Sequence, residues 1–255
     1  MLAYTTRGDG DRVVLFVHGV LSTGRSLAPL ARRLLTQRPE LRAILPDLPG
    51  HNDAPTEDTP PTIDAVADRL VELATHLADE PIDVVGHSMG GRIALRAAQR
   101  APEHIRSVVV LDAPAGPLQH RPSPLEPTID ALLAAPEQAP DADAMGEAIE
   151  HVDPNTRRWL LGHLATEADH VRWSVDRAYV AALRQSVMHA DLFDAPSVFV
   201  LRGERSPFVI DEDIEACREH GIEVIDIPNA GHDLHVSAAR VVVGHLCTRL
   251  DRRER

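Results

Sequence analysis

The sequence predicts an α/β domain with a doubly wound, mainly parallel sheet and an inserted helical lid. Short apolar runs rich in β-branched residues recur along the chain, and helical patterns separate them. One long segment interrupts this alternation. A chain of 255 residues can hold one such domain with an insertion but hardly two full domains. We therefore assign residues 1–113 and 191–255 to the α/β core and residues 114–190 to the lid.

Six apolar runs predict the buried strands of the core. They lie at residues 13–17, 43–45, 82–85, 107–111, 197–201 and 222–227. A seventh run at residues 2–5 predicts an edge strand. Strands that are apolar at nearly every position are buried on both faces, as in a parallel sheet covered by helices.

A helix is predicted directly after Thr62, whose side chain can cap the first turn. Its apolar positions share one face and are Ile63, Val66, Ala67, Leu70, Leu73 and Leu77. This spacing has the period of an α-helix, and the apolar face is expected to pack on the sheet.

Residues 114–190 contain no convincing strand, although both tryptophans of the chain lie there. The segment begins within the proline-rich stretch APAGPLQHRPSPLEP and continues with helical patterns. We interpret it as a lid over the carboxyl ends of the strands, where open α/β sheets bind ligands. Trp159, Trp173, Tyr179 and Met188 are then candidates for substrate binding, and packing within the lid is the alternative.

Composition excludes several classes of function. The formal net charge of −13 argues against nucleic acid or an anionic membrane as a partner. All 26 basic residues are arginine, which excludes lysine Schiff-base chemistry and a Walker phosphate loop. No run approaches the ~20 apolar residues of a membrane-spanning helix, and we expect a cytoplasmic protein. Cys217 and Cys247 form no C-x-x-C motif and are expected to pack in the interior.

The stretch GHSMGG, residues 86–91, lies between a predicted strand and a predicted helix. G-x-S-x-G at such a junction is typical of a nucleophile elbow, although it is also compatible with a glycine-rich turn. In an elbow, the backbone of Ser88 is strained and its neighbours have to be small. Gly86 and Gly90 meet that need, and Gly91 lets the helix begin close to the strand.

Polar and glycine-containing motifs follow each of the six strands, at the edge where ligands bind in such sheets. In chain order they are His18-Gly19-Val20-Leu21, DLPGHNDAP at residues 47–55, Ser88, Asp112, GERSPFVIDED at residues 203–213, and NAGHDLH with His232.

These motifs, in this order, resemble those of the α/β-hydrolase superfamily along nearly the whole chain. The resemblance implies Ser88 as nucleophile, followed in the sequence by an acid and then a histidine. His232 matches the family histidine because Gly231 precedes it, whereas His235 is its competitor and is expected in the last helix. The resemblance also implies structural roles for three further histidines, at positions 18, 51 and 87.

The acid has more than one candidate. Many members of the superfamily carry it in a G-x-x-D pattern, but here that segment reads GERS and ends at Ser206. Asp112, in LDAPAG, resembles the acid that follows the sixth strand of the fold in small esterases. These are the bacterial short-chain acyl esterases and mammalian abhydrolase-domain relatives. Asp112 is the predicted acid, with a loop-capping role as the alternative, and Asp211 or Glu204 are the other candidates.

The resemblance further implies an oxyanion hole formed by the backbone N–H groups of Met89 and Val20, with Leu21 as the alternative to Val20. His232 and His235 could suggest a metal pair. No set of carboxylates and histidines with ligand spacing lies near them in the sequence, so we expect no metal and no cofactor.

The function implied is a serine hydrolase that cleaves a carboxylic ester of a small or medium acyl group through an acyl-enzyme. Its partner is then a small-molecule acyl substrate. A thioesterase or carbon–carbon bond hydrolase of a biosynthetic pathway is the alternative, since such enzymes resemble esterases at every residue discussed. A non-catalytic ligand-binding protein on the same fold is a third hypothesis.

Overall fold

A computed structural model describes residues 1–118 and 123–250 of the chain. Its strands are β1 (Tyr4–Arg7), β2 (Arg12–Val17), β3 (Leu41–Pro46), β4 (Ile82–His87), β5 (Ile105–Leu111), β6 (Gln138–Ala139), β7 (Leu164–Thr166), β8 (Val171–Trp173), β9 (Val198–Gly203) and β10 (Glu223–Ile227). Its helices are α1 (Gly24–Gln37), α2 (Ile63–Leu77), α3 (Met89–Arg100), α4 (Glu126–Ala134), α5 (Ala142–Ala148), α6 (Pro154–Leu161), α7 (Arg177–His189), α8 (Asp211–Glu219), α9 (Leu234–Ser237) and α10 (Ala239–Arg249).

Seven of these strands form one sheet in the order β1-β3-β2-β4-β5-β9-β10. Among the described strands of this sheet, only β1 runs antiparallel to its neighbour, and the other pairs are parallel. The predicted α/β class is therefore confirmed. The six apolar runs each overlap a strand of this sheet, and the weaker run at residues 2–5 overlaps β1.

The sheet is buried on both faces because helices cover each side. Along β2, Leu15 belongs to one apolar cluster and Phe16 to another, as expected for side chains that alternate across a strand. The first cluster contains the buried face of α2, and the second contains those of α1 and α10. The predicted cap of α2 is confirmed, since Thr62 Oγ1 accepts a hydrogen bond from the N–H of Ala65 at 3.2 Å.

Residues 114–190 contain α4 to α7 but also the three-stranded antiparallel sheet β6-β8-β7. The expectation of no strand in this segment is wrong. Each of these strands has only two or three residues, which is too short to show an alternating pattern in the sequence. Residues 119–122 of the predicted lid lie outside the described residues, as do residues 251–255 of the predicted core.

Arg92, in the helix after Ser88, holds both ends of this segment. Its guanidinium donates to the carbonyls of Pro114 and Gly116, where the segment begins. It also donates to the carbonyls of Val187 and Ala190, where the segment ends, at 2.8–3.2 Å. Arg92 is 2% exposed. Because a buried charge has to be paired by hydrogen bonds, this arginine ties both ends of the segment to α3.

The two cysteines differ in burial. Cys217 is buried as expected, whereas Cys247 on α10 is only partly buried. Among residues 1–118 and 123–250, no helix combines the length and apolar character that crossing a membrane would require.

Candidate active site

Ser88 lies at the sharp turn between β4 and α3. Its φ is 52° and its ψ is −122°, which places the backbone in a region that residues other than glycine rarely adopt. Such a conformation costs roughly 1–3 kcal/mol and persists only where the surroundings impose it. The turn therefore has the strained geometry that the motif predicts.

The glycines around Ser88 are required by close backbone contacts. A Cβ on Gly90 would lie 2.2 Å from the carbonyl oxygen of His18, and one on Gly86 would lie 2.5 Å from the Cα of Gly91. Both distances are shorter than any real carbon contact. The expectation that Ser88 needs small neighbours is confirmed, because β2 and α3 approach the turn too closely for a side chain.

Asp112 follows β5, beside the strand that ends at Ser88, and its side chain is completely buried. One carboxylate oxygen, Oδ1, accepts the N–H of Gly203 at 2.7 Å. The other, Oδ2, accepts Nδ1–H of His232 at 2.6 Å and the hydroxyl of Ser206. A buried carboxylate is stabilised by such charge-assisted hydrogen bonds.

This network sets the tautomer of His232. Because Nδ1 carries the proton donated to Asp112, Nε2 keeps its lone pair and can accept a proton. Ser206, which occupies the position where G-x-x-D relatives have an aspartate, here donates to the carboxylate instead of supplying it. No motif around Ser206 indicated that role.

The other candidates for the acid lie elsewhere. Asp211 Oδ1 is 3.0 Å from the guanidinium of Arg202, and its side chain is 84% exposed. Glu204 accepts the backbone N–H of Asn229 at 2.7 Å. The structure brings Asp112 to His232 and pairs these two carboxylates with other groups.

Two buried histidines fix the loop that follows β2. His18 Nε2 accepts the N–H of Leu48 at 2.9 Å, and His51 Nε2 accepts the N–H of Leu21 at 3.3 Å. Their rings pack edge to face, with centroids 5.0 Å apart. Since the N–H of Leu21 is already bonded, Val20 is the better candidate of the two for an oxyanion donor.

Burial keeps these histidines neutral. Loss of hydration lowers the pKa of His18 to about 4 and that of His51 to about 3. Burial also lowers the pKa of His87 and of His235, both of which pack near His232. A neutral ring can donate from one nitrogen and accept at the other, which is what His18 and His51 do here.

Two adjoining spaces open above Ser88. One is a cleft lined by Ser88, His232, Gly19, Val20 and Trp159 among others. A neighbouring cavity lies between the core and the segment at residues 114–190, and both supply its lining. Its apolar lining is supplied mainly by Val20, Met89, Ala113, Pro114, Leu118, Pro124, Leu125, Val187, Met188 and Phe208.

Comparison with known proteins identifies the family of the chain. The sequence profile of the alpha/beta hydrolase family matches residues 14–244 of the chain. The chain belongs to the alpha/beta hydrolase family. This hydrolase is similar in structure to an esterase from a marine microorganism, with a TM-score of 0.84, 21% identity and coverage of 97% of this chain and 98% of that one. At that identity the likeness concerns the fold.

Sequence relatives of the hydrolase include lipases. It is 38% identical over 150 residues to lipase LipV of Mycobacterium tuberculosis (strain ATCC 25618 / H37Rv), covering 57% of this chain and 54% of LipV. The match thus spans about half the length of that relative. It is 26% identical over 249 residues to the sn-1-specific diacylglycerol lipase ABHD11 of Mus musculus, covering 89% of this chain and 78% of the lipase.

The four residues predicted to bind substrate in this hydrolase have different positions. Trp159 lines the cleft and Met188 lines the cavity. Trp173 is buried within the lid, where its indole N–H donates to the carbonyl of Pro136 at 2.9 Å. Tyr179 is also buried, against Gly50.

Neither Trp173 nor Tyr179 is among the described residues that line the two spaces above Ser88. The lining of these two spaces therefore gives no support to their assignment as substrate-binding residues. The reason is packing, because both rings form part of the apolar interior that the lid shares with the core.

Proposed function

We propose that this hydrolase cleaves carboxylic esters of small or medium acyl groups through an acyl-enzyme formed on Ser88. The observation that carries the proposal is the 2.6 Å hydrogen bond between His232 and the buried Asp112, beside a cleft that Ser88 also lines. A serine on a strained turn, a basic imidazole and a carboxylate that orients it are the groups that nucleophilic acyl transfer requires.

In the proposed reaction, Ser88 Oγ attacks the acyl carbonyl while Nε2 of His232 takes its proton. Asp112 holds the imidazole in the required tautomer and stabilises the imidazolium. The leaving alcohol then receives the proton from Nε2. Water next attacks the acyl-enzyme with His232 again as the base, which releases the carboxylic acid and restores Ser88. The cycle requires neither a cofactor nor a metal.

The oxyanion of each tetrahedral intermediate would be held by the backbone N–H groups of Met89 and Val20. Met89 is the first residue of α3, and the first N–H groups of a helix have no partner within it. Val20 lines both spaces above Ser88. Each donor of this kind contributes about 3 kcal/mol to lowering the barrier.

The chemistry of the cavity supports an acyl substrate. Its walls are mainly hydrocarbon, and its charged lining residues have partners. Arg184 pairs with Glu126 at 2.5 Å, Arg92 donates to backbone carbonyls, and Asp112 accepts from His232. Burial of an acyl chain there is favourable by about 0.8 kcal/mol for each CH₂ group. The sequence relatives named above include lipases, which is consistent with an ester as the bond cleaved.

The test is hydrolysis of p-nitrophenyl esters from acetate to palmitate by the wild type and by Ser88→Ala. Activity should peak at short or medium chains and fall below about one part in a thousand in the variant. A fluorophosphonate should label the wild type and not Ser88→Ala. Ser22→Ala is the matched control, since Ser22 lines the same cleft but bonds Ser26 at 2.8 Å, and this variant should still be labelled.

Retained activity or labelling in Ser88→Ala would refute the assignment of the nucleophile. Labelling without hydrolysis of any p-nitrophenyl ester would refute the ester substrate and favour a thioester or a carbon–carbon bond, because the same residues serve those reactions. Absence of both would favour a non-catalytic ligand-binding protein.

A further inference from the structure

Three side chains that the proposed hydrolysis does not use meet beside His232. One potential ligand atom each from His87, Asp233 and His235 lies within 4.8 Å of the other two. His87 Nε2 is 4.0 Å from Asp233 Oδ1, and the rings of His87 and His235 are 4.4 Å apart. In the sequence only Asp233 and His235 are close to each other, two positions apart. The fold adds His87 from the end of β4.

His235 has an unused ligand atom. The residue is 7% exposed, and its Nδ1 is buried without a hydrogen-bond partner in the described part of the chain. Buried polar atoms are nearly always paired, so an unpaired imidazole nitrogen indicates that something else can bind there. The site is also open to solvent, because all three residues line the cleft and the side chain of Asp233 is 72% exposed.

The donor set selects the kind of ion. Two imidazole nitrogens and one carboxylate oxygen suit Zn²⁺, Cu²⁺ or Ni²⁺, whereas Ca²⁺ and Mg²⁺ prefer oxygen ligands. In a tetrahedral zinc site with Zn–N bonds of about 2.0–2.1 Å, ligand atoms lie about 3.4 Å apart. The present separations have to shorten by roughly 1 Å, which rotation of the exposed Asp233 side chain and small ring movements can supply.

We propose that His87, Asp233 and His235 bind a divalent transition-metal ion, with Zn²⁺ as the representative, and that occupation of this site inhibits the hydrolase. The link to activity is His87 Nε2, which also lies 3.1 Å from the carbonyl oxygen of His232. To donate to that carbonyl, Nε2 must carry a proton, whereas metal binding requires its lone pair. The proton then moves to Nδ1 or to solvent.

Inhibition follows from the loss of this hydrogen bond. When the ion occupies Nε2 of His87, the main chain of His232 loses the bond that holds it against β4. The ion also ties down Asp233, the next residue in the chain. Since a general base has to stay within hydrogen-bond reach of its proton, displacement of His232 from Ser88 slows acyl transfer.

The binding arm of the test is calorimetric titration of Zn²⁺ into the full-length protein after treatment with EDTA and dialysis. We expect one site in the wild type, with affinity reduced at least ~10-fold in His235→Ala and in Asp233→Asn. His170→Ala is the matched control, because His170 forms a 2.7 Å pair with Asp169 and has no third ligand in the described residues. Its zinc affinity should equal that of the wild type.

The activity arm measures hydrolysis of p-nitrophenyl butyrate against Zn²⁺ concentration, with each protein normalised to its own rate in EDTA. Zinc should inhibit the wild type reversibly, and the midpoint should rise at least ~10-fold in the two site variants. If no ester is turned over, the rate of fluorophosphonate labelling replaces the hydrolysis rate. Failure of the proposed function is thereby separated from failure of the metal site.

Equal zinc affinity in the wild type and in Asp233→Asn would overturn the site, even if His235→Ala did not fold. If the variants lose zinc binding but zinc does not inhibit the wild type, the proposed inhibition is overturned. Inhibition with the same midpoint in all four proteins would also overturn the proposal, because the ion would then act elsewhere.

Discussion

Replacement of Asp112 by asparagine tests the proposed acid most directly. Asp112 accepts three hydrogen bonds, from Gly203 on Oδ1 and from Ser206 and His232 on Oδ2. An asparagine can present only one oxygen to these donors. Its amide nitrogen has to occupy either the Oδ1 position or the Oδ2 position, and the structure shows the consequence of each.

With nitrogen at the Oδ1 position, the amide faces the N–H of Gly203. Two buried donors then oppose each other, at a cost of about 1–3 kcal/mol. With nitrogen at the Oδ2 position, the amide donates to His232 Nδ1, and the imidazole proton moves to Nε2. That tautomer cannot accept the proton of Ser88. The second arrangement satisfies the more rigid backbone donor, so we expect it to predominate.

The expected result is a fall in kcat of about 10⁴-fold, equivalent to about 5 kcal/mol, with a folded protein. The assay is p-nitrophenyl butyrate hydrolysis, with thermal unfolding as the check on folding. Asp211→Asn and Glu204→Gln are the controls and should keep at least about half of the activity, because these carboxylates bond Arg202 and Asn229 instead. Asp112→Asn with more than about a tenth of wild-type activity, or a control that loses about 100-fold, would refute the assignment.

Three further predictions concern the surroundings of the site. Ser206→Ala removes one donor to the buried carboxylate of Asp112 and should lower the free energy of unfolding by about 1.5–3 kcal/mol in urea denaturation; no change would contradict the hydrogen bond. The pKa of His51 is lowered to about 3 by burial, so below pH ~6.5 the unfolded chain binds a proton that the folded protein does not, and acid destabilises the fold. Between pH 6.5 and pH 5 the protonation of His51 in the unfolded chain lowers the free energy of unfolding by about 2 kcal/mol. His51→Gln should remove this loss and the exposed His76→Gln should not. Equal pH dependence in the wild type and both variants would contradict the prediction. Arg92→Met leaves the carbonyls at the base of the lid without their donor and should lower the unfolding free energy by about 3 kcal/mol or more, and a variant as stable as the wild type would show that the lid does not depend on it.

The core of the fold was predictable because buried strands and helix faces appear in the sequence as apolar runs and apolar periodicity. The run at residues 107–111 is apolar on both faces and became β5, and the spacing of Leu70 and Leu73 predicted the buried face of α2. The lid strands were missed because two or three residues carry no periodicity. Aromatic type alone did not distinguish Trp159, which lines the cleft, from Trp173, which packs inside the lid.

For the candidate site, predictability depended on whether a role is local. Ser88 could be recognised because the turn imposes small neighbours on adjacent positions. The roles of Gly203 and Ser206 depend on β9 lying beside β5. No sequence pattern near either residue indicates that the two strands are adjacent. The same is true of His87, whose ring at the end of β4 lies 4.4 Å from that of His235 in α9.

The hydrogen bond between Ser206 and Asp112 has an evolutionary consequence. The segments after two neighbouring strands, β5 and β9, meet beside His232. One supplies the carboxylate that accepts from the imidazole, and the other supplies a hydroxyl that donates to that carboxylate. A lineage could therefore move its acid from one strand to the other by two point substitutions, without shifting any backbone. By this route the acid would change its position along the chain while keeping its place beside the imidazole.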